Sequence, residues 1–271
     1  MRTLVRKRVA LAKTGVARLH ETQESHIKEL VRESTALVDR ETGKTQVVYL
    51  ELGKQQFAEL KNALLLIRYS KAGRTGGMTS ISRTFGWQPR IALRRNFCSA
   101  SSLMANDMYT HGLLELAGRV AMQHYRDCNM ALLAKHLGMA EKALPGYTLA
   151  GTPFTSGIIN RNNQLRYHFD SGNFEDVWSC MFVFKSNIGG GFLSCPEYEI
   201  GFELKDCSLL MFDGQKLLHG VTPIHMNGPG AYRISVVYYS LRGMWKCLPF
   251  EEELKRARQF RARVERKRSG V

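Results

Sequence analysis

Residues 155–168, TSGIINRNNQLRYH, contain the first two of a series of short predicted strands. Two short runs, 155–160 and 164–168, have the composition of β-strands, and Asn162 and Asn163 between them are typical of a turn. Further strands are predicted at 177–184, 191–194, 200–204, 208–212 and 232–240. Because many short strands follow a helical half, we predict an α+β protein: a double-stranded β-helix (jelly-roll) barrel with supporting N-terminal helices.

The first 145 residues are predicted to form a mostly helical supporting region. Apolar residues recur at helical spacing over 24–39 and 53–69, with a strand predicted between them at 45–52. The glycine-rich segment 70–89 is predicted to be a mobile loop, which either closes over a nucleic acid or serves as a plain connector. The Leu-, Ala- and Met-rich composition of residues 101–137 predicts one or two packed helices. The chain is therefore divided into regions 1–145, 146–247 (the jelly-roll core) and 248–271, a basic C-terminal helix.

The composition indicates one compact unit with appended ends. A chain of 271 residues with 44% hydrophobic content is sufficient for a sizeable core. No apolar run approaches the roughly 20 residues that a membrane-spanning helix needs. The six cysteines form no Cys-x-x-Cys pair and follow no secretory leader, so we expect a reduced, cytoplasmic protein without a disulfide framework.

The net charge of +15 is concentrated at the two ends of the chain. Residues 1–18 carry six basic side chains and no acidic one, and residues 255–271 carry eight against Glu265. Such ends, if they lie on one side of the fold, favour binding to DNA phosphates; solvated, frayed tails are the alternative interpretation. The candidate phosphate contacts are Arg74, Arg83, Arg258 and Arg261.

Two histidines and one carboxylate form a candidate metal site. Because side chains alternate along a strand, His168 and Asp170 point to the same side, and His219 can supply a third ligand from a later loop. This donor set leaves three positions of an octahedral ion open, which suits non-haem Fe(II) oxygenases. The alternative is a pair of histidines that are hydrogen-bonded within the barrel, with Asp170 in a turn. His225 is a rival third ligand.

Arg233 is unusual because it begins an apolar strand, where a cation is costly unless it is paired. A bidentate bond to a carboxylate of 2-oxoglutarate would satisfy it, and a buried salt bridge to a protein carboxylate is the alternative. Arg233 and Tyr239 share a face of this strand, although six residues span about 20 Å. A curved strand could therefore carry a co-substrate toward one end and a second ligand toward the other.

The C-terminal half, about residues 150–245, resembles the TET/JBP family of Fe(II)- and 2-oxoglutarate-dependent DNA dioxygenases, especially its phage-encoded members. The resemblance rests on His-x-Asp-x-x-Asn at 168–173, His-x-x-Thr-Pro at 219–223 and Arg-Ile-Ser-Val-Val-Tyr-Tyr at 233–239. It implies that His168, Asp170 and His219 bind Fe(II), that Arg233 holds the co-substrate 2-oxoglutarate, and that O2 is the oxidant.

The resemblance also implies a substrate, double-stranded DNA with a flipped target base. Asn173 would hydrogen-bond this base and Tyr239 would stack on it. The implied reaction is hydroxylation of 5-methylcytosine to 5-hydroxymethylcytosine. Further oxidation of this product is compatible with the resemblance. Leu241 stands where TET enzymes have a histidine that contacts cytosine, so hydroxylation of thymine to 5-hydroxymethyluracil is the alternative.

A DNA-binding jelly roll without catalytic activity is the alternative of another class. For a phage-encoded enzyme the expected location is the cytoplasm of the host cell. Neither a membrane nor a protein partner is expected.

Overall fold

The computed structural model describes residues 1–73, 79–92 and 94–269. The strands in these residues are β1 (Arg2–Arg6), β2 (Glu29–Val31), β3 (Thr35–Asp39), β4 (Thr45–Glu51), β5 (Ser70–Gly73), β6 (Thr79–Gln88), β7 (Ser99–Ala100), β8 (Ser156–Arg161), β9 (Leu165–His168), β10 (Ser179–Ser186), β11 (Ile188–Gly190), β12 (Leu193–Cys195), β13 (Ile200–Phe202), β14 (Ser208–Phe212), β15 (His219–Val221), β16 (Ile224–Met226) and β17 (Tyr232–Tyr239). The helices are α1 (Leu11–Thr14), α2 (Ala58–Leu66), α3 (Ser102–Asn106), α4 (Met108–Ala140) and α5 (Phe250–Ser269). None of these helices is both long and apolar enough to span a membrane.

Two sheets form the framework of the fold. The larger sheet has ten strands in the order β1-β3-β4-β14-β10-β17-β8-β6-β5, with β7 paired to β6. The smaller has five strands in the order β2-β13-β12-β15-β9, and β11 pairs with β16 separately. Over the described residues the larger sheet ends at β1 and β5, so the sheets form an open two-layer arrangement rather than the closed barrel that we predicted.

Side-chain alternation on the larger sheet produces three layers. Phe182 and Phe184 of β10 face the helices and pack in one cluster with residues of α2 and α4. Met181 and Val183, which alternate with them, face the smaller sheet and pack with Phe202 and its neighbours. The order of layers is therefore helices, larger sheet, smaller sheet.

The N-terminal half contributes more strand than its sequence predicts. The region 24–39, predicted as a helix, contains a short 3-10 turn followed by β2 and β3. The prediction was wrong because the apolar residues of this short segment also suit strands, and pairing with β13 and β4 decides the outcome. Residues 70–73 and 79–88, predicted as part of a loop, form β5 and β6. Arg74 lies outside the described residues.

The strands predicted after residue 150 agree with the structure. Each has a counterpart among β8, β9, β10, β12, β13, β14 and β17. The prediction at 45–52 likewise corresponds to β4. Three short strands, β11, β15 and β16, were not predicted, and β15 matters most because it contains His219. In the N-terminal half, α2 lies within the predicted helical segment 53–69, and α4 overlaps the predicted segment 101–137 and extends three residues beyond it.

A disulfide joins Cys98 to Cys247 across 149 residues of sequence, which corrects the expectation of a protein without disulfides. Spacing along the chain could not indicate this pair, because only the fold brings the two segments together. Next to it, the buried carboxylate of Glu253 accepts hydrogen bonds from Cys98 N at 3.0 Å and Leu248 N at 2.8 Å and pairs with Arg90 at 2.6 Å. The start of α5 is therefore fixed to the body of the protein.

The basic N-terminal segment is not a free tail. Its strand β1 pairs in parallel with β3. Most of its cations form ion pairs with acidic side chains: Arg2 with Glu29 and Glu33, Arg6 with Glu29, Lys7 with Glu41, and Arg8 with Glu197. This neutralisation leaves Lys13 and Arg18 as the cations of the segment without an ion pair to any described residue. The expectation that the N-terminal end as a whole attracts phosphates, or frays, is corrected accordingly.

Candidate metal and co-substrate site

Strands β9 and β15 bring the three candidate metal ligands together. In the antiparallel register His168 lies directly opposite His219, and their ring centroids are 4.4 Å apart. Asp170 Oδ1 is 3.9 Å from His168 Nε2 and 4.0 Å from His219 Nε2. The ligand atoms of the three side chains all lie within 4.8 Å of one another, close enough to hold one metal ion. The rival ligand His225 is exposed on β16 and is not part of this group.

Backbone carbonyls fix the orientation of both imidazoles. His168 Nδ1 lies 2.8 Å from Arg166 O, and His219 Nδ1 lies 2.9 Å from Leu217 O. A carbonyl oxygen can only accept, so each Nδ1 carries the proton and donates it. In the neutral imidazole this bond leaves Nε2 as the nitrogen that can bind a metal, and hydrogen bonds of this kind commonly set the tautomer of metal-binding histidines.

Gly214, in the loop after β14, holds the third ligand in place. The Asp170 amide donates to Gly214 O at 2.8 Å. A Cβ atom built on Gly214 would overlap Asp170 Oδ2, and it would lie 2.9 Å from the carboxyl carbon and 3.3 Å from His219 Cε1. The position of the carboxylate therefore requires glycine at 214. No local sequence pattern marks this residue, since the contact exists only between two loops of the folded chain.

The triad opens into a cavity of about 490 Å³ between the two sheets. Four alternate residues of β17, Arg233, Ser235, Val237 and Tyr239, line this cavity. The shared face of Arg233 and Tyr239 that we predicted is therefore present, and the strand runs along the cavity between them. The volume falls in the range of small-molecule sites, about 300–1,000 Å³.

Arg233 is a buried cation for which the described residues provide no anionic partner. It is 3% exposed, and its Nη2 atom has no hydrogen-bond partner among the described residues. No ion pair joins it to a described carboxylate, so the predicted alternative of a buried salt bridge is not found there. Burial lowers the pKa of Arg233 to about 10, which still leaves the guanidinium charged at neutral pH. A small carboxylate that enters the cavity would satisfy this charge.

The residues present fit the metal and the co-substrate that the motifs imply. Two imidazole nitrogens and one carboxylate oxygen are the donor set of non-haem Fe(II) oxygenases. The unpaired guanidinium of Arg233 in the same cavity suits the carboxylate of 2-oxoglutarate, which it can bind in a bidentate manner.

Asn173, Tyr239 and Leu241 lie together in another part of the cavity lining. The backbones of Asn173 and Leu241 form an isolated β-bridge. The buried Asn173 side chain donates from Nδ2 to Ser179 Oγ at 3.4 Å, and Tyr239 is half-buried. The structure thus groups the two residues that the resemblance assigns to a base with the leucine that departs from the family pattern.

A buried histidine of α4 supports this group. His136 of α4 lies 2.8 Å from Ser240 Oγ, and the Ser240 hydroxyl donates to Pro153 O at 2.6 Å. Since the hydroxyl proton is used in that bond, His136 Nε2 is the donor to Ser240. Ser240 lies between Tyr239 and Leu241 in the chain, so α4 helps to position both residues.

His136 predicts a pH dependence of folding stability. Burial lowers its pKa from 6.5 to about 3, so between these values the unfolded chain binds a proton that the folded chain does not. The stability is fully present above the unfolded pKa and falls as the pH drops below it, by about 1.4 kcal/mol per pH unit for one proton. We expect the urea midpoint to fall between pH 7 and pH 5, and to fall less in His136→Gln, which keeps a side-chain donor. Equal slopes in both proteins would contradict the assignment.

The three candidate phosphate contacts among the described residues do not line the cavity. Arg83 alternates along β6 with Ser82 and Thr84, which line the cavity. Its side chain therefore leaves the sheet on the opposite face. Arg258 and Arg261 are exposed on α5. Phosphate binding by these three arginines stays a prediction.

Comparison with known proteins supplies relatives for about half of the chain. No family model matches. The chain is similar to the thymine dioxygenase JBP1 of Trypanosoma brucei brucei, with 26% identity over 135 residues that cover 48% of this chain and 16% of that protein. It is also similar to the bifunctional helicase and thymine dioxygenase JBP2 of Trypanosoma brucei brucei, with 31% identity over 100 residues, 37% of this chain and 9% of that protein. The matched part thus spans less than a fifth of these curated relatives.

The fold as a whole is similar to a solved structure, NgTET1 in complex with 5mC DNA. The TM-score is 0.63 over 95% of this chain and 90% of that one, with 16% sequence identity. This likeness concerns the fold, and it covers a larger share of the chain than the sequence relatives do. Local sequence similarity to thymine dioxygenases and the His168, Asp170 and His219 group agree with each other: the chain is similar to the TET/JBP family of Fe(II)- and 2-oxoglutarate-dependent dioxygenases.

Proposed function

We propose that this protein hydroxylates the C5-methyl group of a pyrimidine in DNA, with 5-methylcytosine as the leading substrate and 5-hydroxymethylcytosine as the product. One observation carries the proposal: a group of three metal ligands and an unpaired, buried arginine share a single cavity. A protein that only bound DNA would have no need for a charge buried at such cost. The names of the sequence relatives, which are thymine dioxygenases, support the reaction class.

The residues of the cavity have separate tasks in this reaction. Fe(II), 2-oxoglutarate and O2 together supply the oxidising power that converts a methyl C–H bond to C–OH, with succinate and CO2 as co-products. His168, His219 and Asp170 would hold the metal, and the carbonyl hydrogen bonds keep both imidazoles in the binding tautomer. Arg233 would bind a carboxylate of 2-oxoglutarate and so orient the co-substrate toward the metal.

A methyl group at C5 lies in the groove of the duplex, so the base must be flipped out of the stack, at a cost of a few kcal/mol. Tyr239, on the cavity wall, is placed to stack on such a base. Stacking of a base on an aromatic side chain contributes about 1–3 kcal/mol. It would therefore offset much of the cost of flipping.

Asn173 favours 5-methylcytosine as the substrate. One of its two Nδ2 protons is donated to Ser179 Oγ, and the amide oxygen is the acceptor that the side chain can offer to a base. That oxygen accepts hydrogen bonds, so it suits the exocyclic amino group of cytosine, whereas thymine has a carbonyl at the same position.

Thymine is the second candidate, for two reasons. The sequence relatives are named thymine dioxygenases, and Leu241 offers no polar group to a cytosine edge. Hydroxylation of thymine would give 5-hydroxymethyluracil.

Incubation with Fe(II), 2-oxoglutarate, ascorbate and a duplex that contains 5-methylcytosine should yield 5-hydroxymethylcytosine. Mass spectrometry of the digested nucleosides measures the product, and an unmethylated duplex of the same sequence is treated in parallel. The product 5-hydroxymethylcytosine in the methylated sample alone would support the leading substrate. The product 5-hydroxymethyluracil in both samples would assign the activity to thymine.

His168→Ala should abolish product formation because it removes one of three metal ligands. His225→Ala is the matched control, since His225 is exposed on β16 outside the triad, and it should retain wild-type activity. If the wild-type protein binds DNA with its metal in place but never forms succinate, the enzymatic proposal fails. A DNA-binding jelly roll without catalytic activity would then be the better description.

A further inference from the structure

The N-terminal segment around Arg18 forms part of the wall of the cavity. Leu19 N donates to Tyr167 O at 2.7 Å, and Tyr167 N donates to His20 O at 3.0 Å. These two bonds attach the segment to β9, one residue before the metal ligand His168. Arg18 and Leu19 both line the cavity. An N-terminal element that the sequence marked only as basic is therefore built into the site.

A tight turn determines where Arg18 lies. His20 N donates to Ala17 O at 3.2 Å, and Ala17 N donates to His20 Nδ1 at 3.2 Å. Leu19 has a φ of +72°, in the left-handed region that a leucine occupies only at a cost in free energy. Such a conformation persists where the surrounding structure imposes it, and it is concentrated at functional sites. The turn thus holds the backbone of Arg18 in a fixed position beside the triad.

Arg18 and Arg233 are the two cations that line the cavity over the described residues, and they differ in exposure. Arg233 is 3% exposed, whereas Arg18 is exposed and lies at the entrance. The cations that precede it, such as Arg6 and Arg8, are paired with glutamates, but no ion pair joins Arg18 to a described residue. Its guanidinium is therefore available to an anion from outside the protein, in the planar geometry that matches phosphate oxygens.

We propose that Arg18 binds a backbone phosphate beside the flipped nucleotide. This inference rests on the proposed function. A base inside the cavity stays covalently attached to its sugar and phosphates, which must therefore lie at the entrance, where Arg18 is exposed. A charge-assisted contact at that point fixes the register of the DNA on the protein. Arg258 and Arg261 on α5 do not line the cavity, so they could supply only attraction that is independent of base flipping.

Arg18→Ala and Lys13→Ala form a matched pair of variants that tests this role. Lys13 is an exposed cation close to Arg18 in the chain, but it does not line the cavity. Fluorescence anisotropy measures the Kd for a labelled 5-methylcytosine duplex in the presence of 2-oxoglutarate, with Mn(II) in place of Fe(II), over a series of salt concentrations. We expect Arg18→Ala to weaken binding about tenfold and to reduce the slope of log K against log salt by about 1. Lys13→Ala should change the Kd less than twofold.

Calorimetric titration of the same variants with 2-oxoglutarate tests whether Arg18 binds a carboxylate of the co-substrate instead of a DNA phosphate. Unchanged co-substrate affinity in Arg18→Ala, with weaker DNA binding, supports the phosphate contact. A tenfold loss of 2-oxoglutarate affinity with unchanged DNA binding would overturn it and assign Arg18 to the co-substrate. Equal effects of Arg18→Ala and Lys13→Ala on DNA binding would overturn it as well.

Product formation by the wild-type protein distinguishes this inference from the proposed function. If the wild-type protein binds the duplex and oxidises it while Arg18→Ala binds equally well, only the phosphate contact is wrong. If the wild-type protein neither binds nor oxidises DNA, the proposed function and the phosphate contact fail together.

Discussion

Gly214→Ala is expected to abolish metal binding in a protein that still folds. The new Cβ would overlap the Asp170 carboxylate and crowd His219, so the carboxylate must leave the triad or the loop must move away. Neither change leaves three donors around one ion. Loss of the contacts that orient a metal ligand costs roughly 10- to 100-fold in affinity, and we expect at least the upper end here because the ligand itself is displaced. Anaerobic calorimetric titration with Mn(II) or Fe(II) measures the Kd directly, without reference to turnover.

Gly53→Ala serves as the control for Gly214→Ala. A Cβ at position 53 would meet open space, and the backbone there does not have a positive φ. This variant should bind the metal as the wild-type protein does. If Gly214→Ala has a normal circular dichroism spectrum and an unchanged metal Kd, the loop tolerates a side chain and Gly214 has no part in positioning Asp170.

Arg233→Met should have effects of opposite sign on ligand binding and on stability. Removal of the guanidinium should weaken 2-oxoglutarate binding about 100-fold, since a charge-assisted bidentate contact of about 3 kcal/mol is lost. The same change removes a buried cation whose Nη2 atom has no partner among the described residues. Replacing buried charges by apolar side chains of similar volume is often neutral or stabilising, by about 1–4 kcal/mol. We therefore expect a higher urea midpoint in the absence of ligand, together with a weaker calorimetric Kd for 2-oxoglutarate.

Arg166→Met is the matched control for that experiment. Arg166 forms a solvent-exposed ion pair with Glu21, and such pairs contribute about 0–1 kcal/mol. Arg166→Met should change neither the urea midpoint nor the Kd for 2-oxoglutarate appreciably. If Arg233→Met is instead destabilised as strongly as an ordinary core substitution, the structure already satisfies the Arg233 guanidinium and the cavity is not built around a missing anion.

The sequence predicted the C-terminal strands well and the N-terminal half poorly, for a physical reason. Residues 208–212 and 232–240 are mostly apolar runs that can be read as strands on their own. The segment 29–39 mixes apolar with polar residues, and its apolar residues suit a helix as well as two strands. Its conformation is decided by the pairing of β2 with β13, about 170 residues away, and no local pattern contains that information.

The residues of the candidate site also divide into those that the sequence predicts and those that it does not. His168, Asp170 and His219 belong to motifs with a fixed spacing, and Arg233 is a charge in an apolar strand, so each is visible in the sequence. Gly214, His136 and Arg18 carry no such signal, because their importance comes from contacts across the fold. Supporting residues of this kind can be found only when the neighbours in space are known.

The pairing of strands from distant parts of the chain determines when the site can form during synthesis. β14 pairs with β4, β8 with β6, and β13 with β2. Strands that are synthesised early therefore pair with strands that are synthesised much later. Strand pairing over such separations is slow, and it leaves unpaired edges exposed in the meantime. A nascent chain can complete the larger sheet only after β17 has emerged. Metal binding by the native triad therefore requires that β15, which carries His219, has been synthesised and has paired with β9, so it cannot guide the folding of the strands that precede β15.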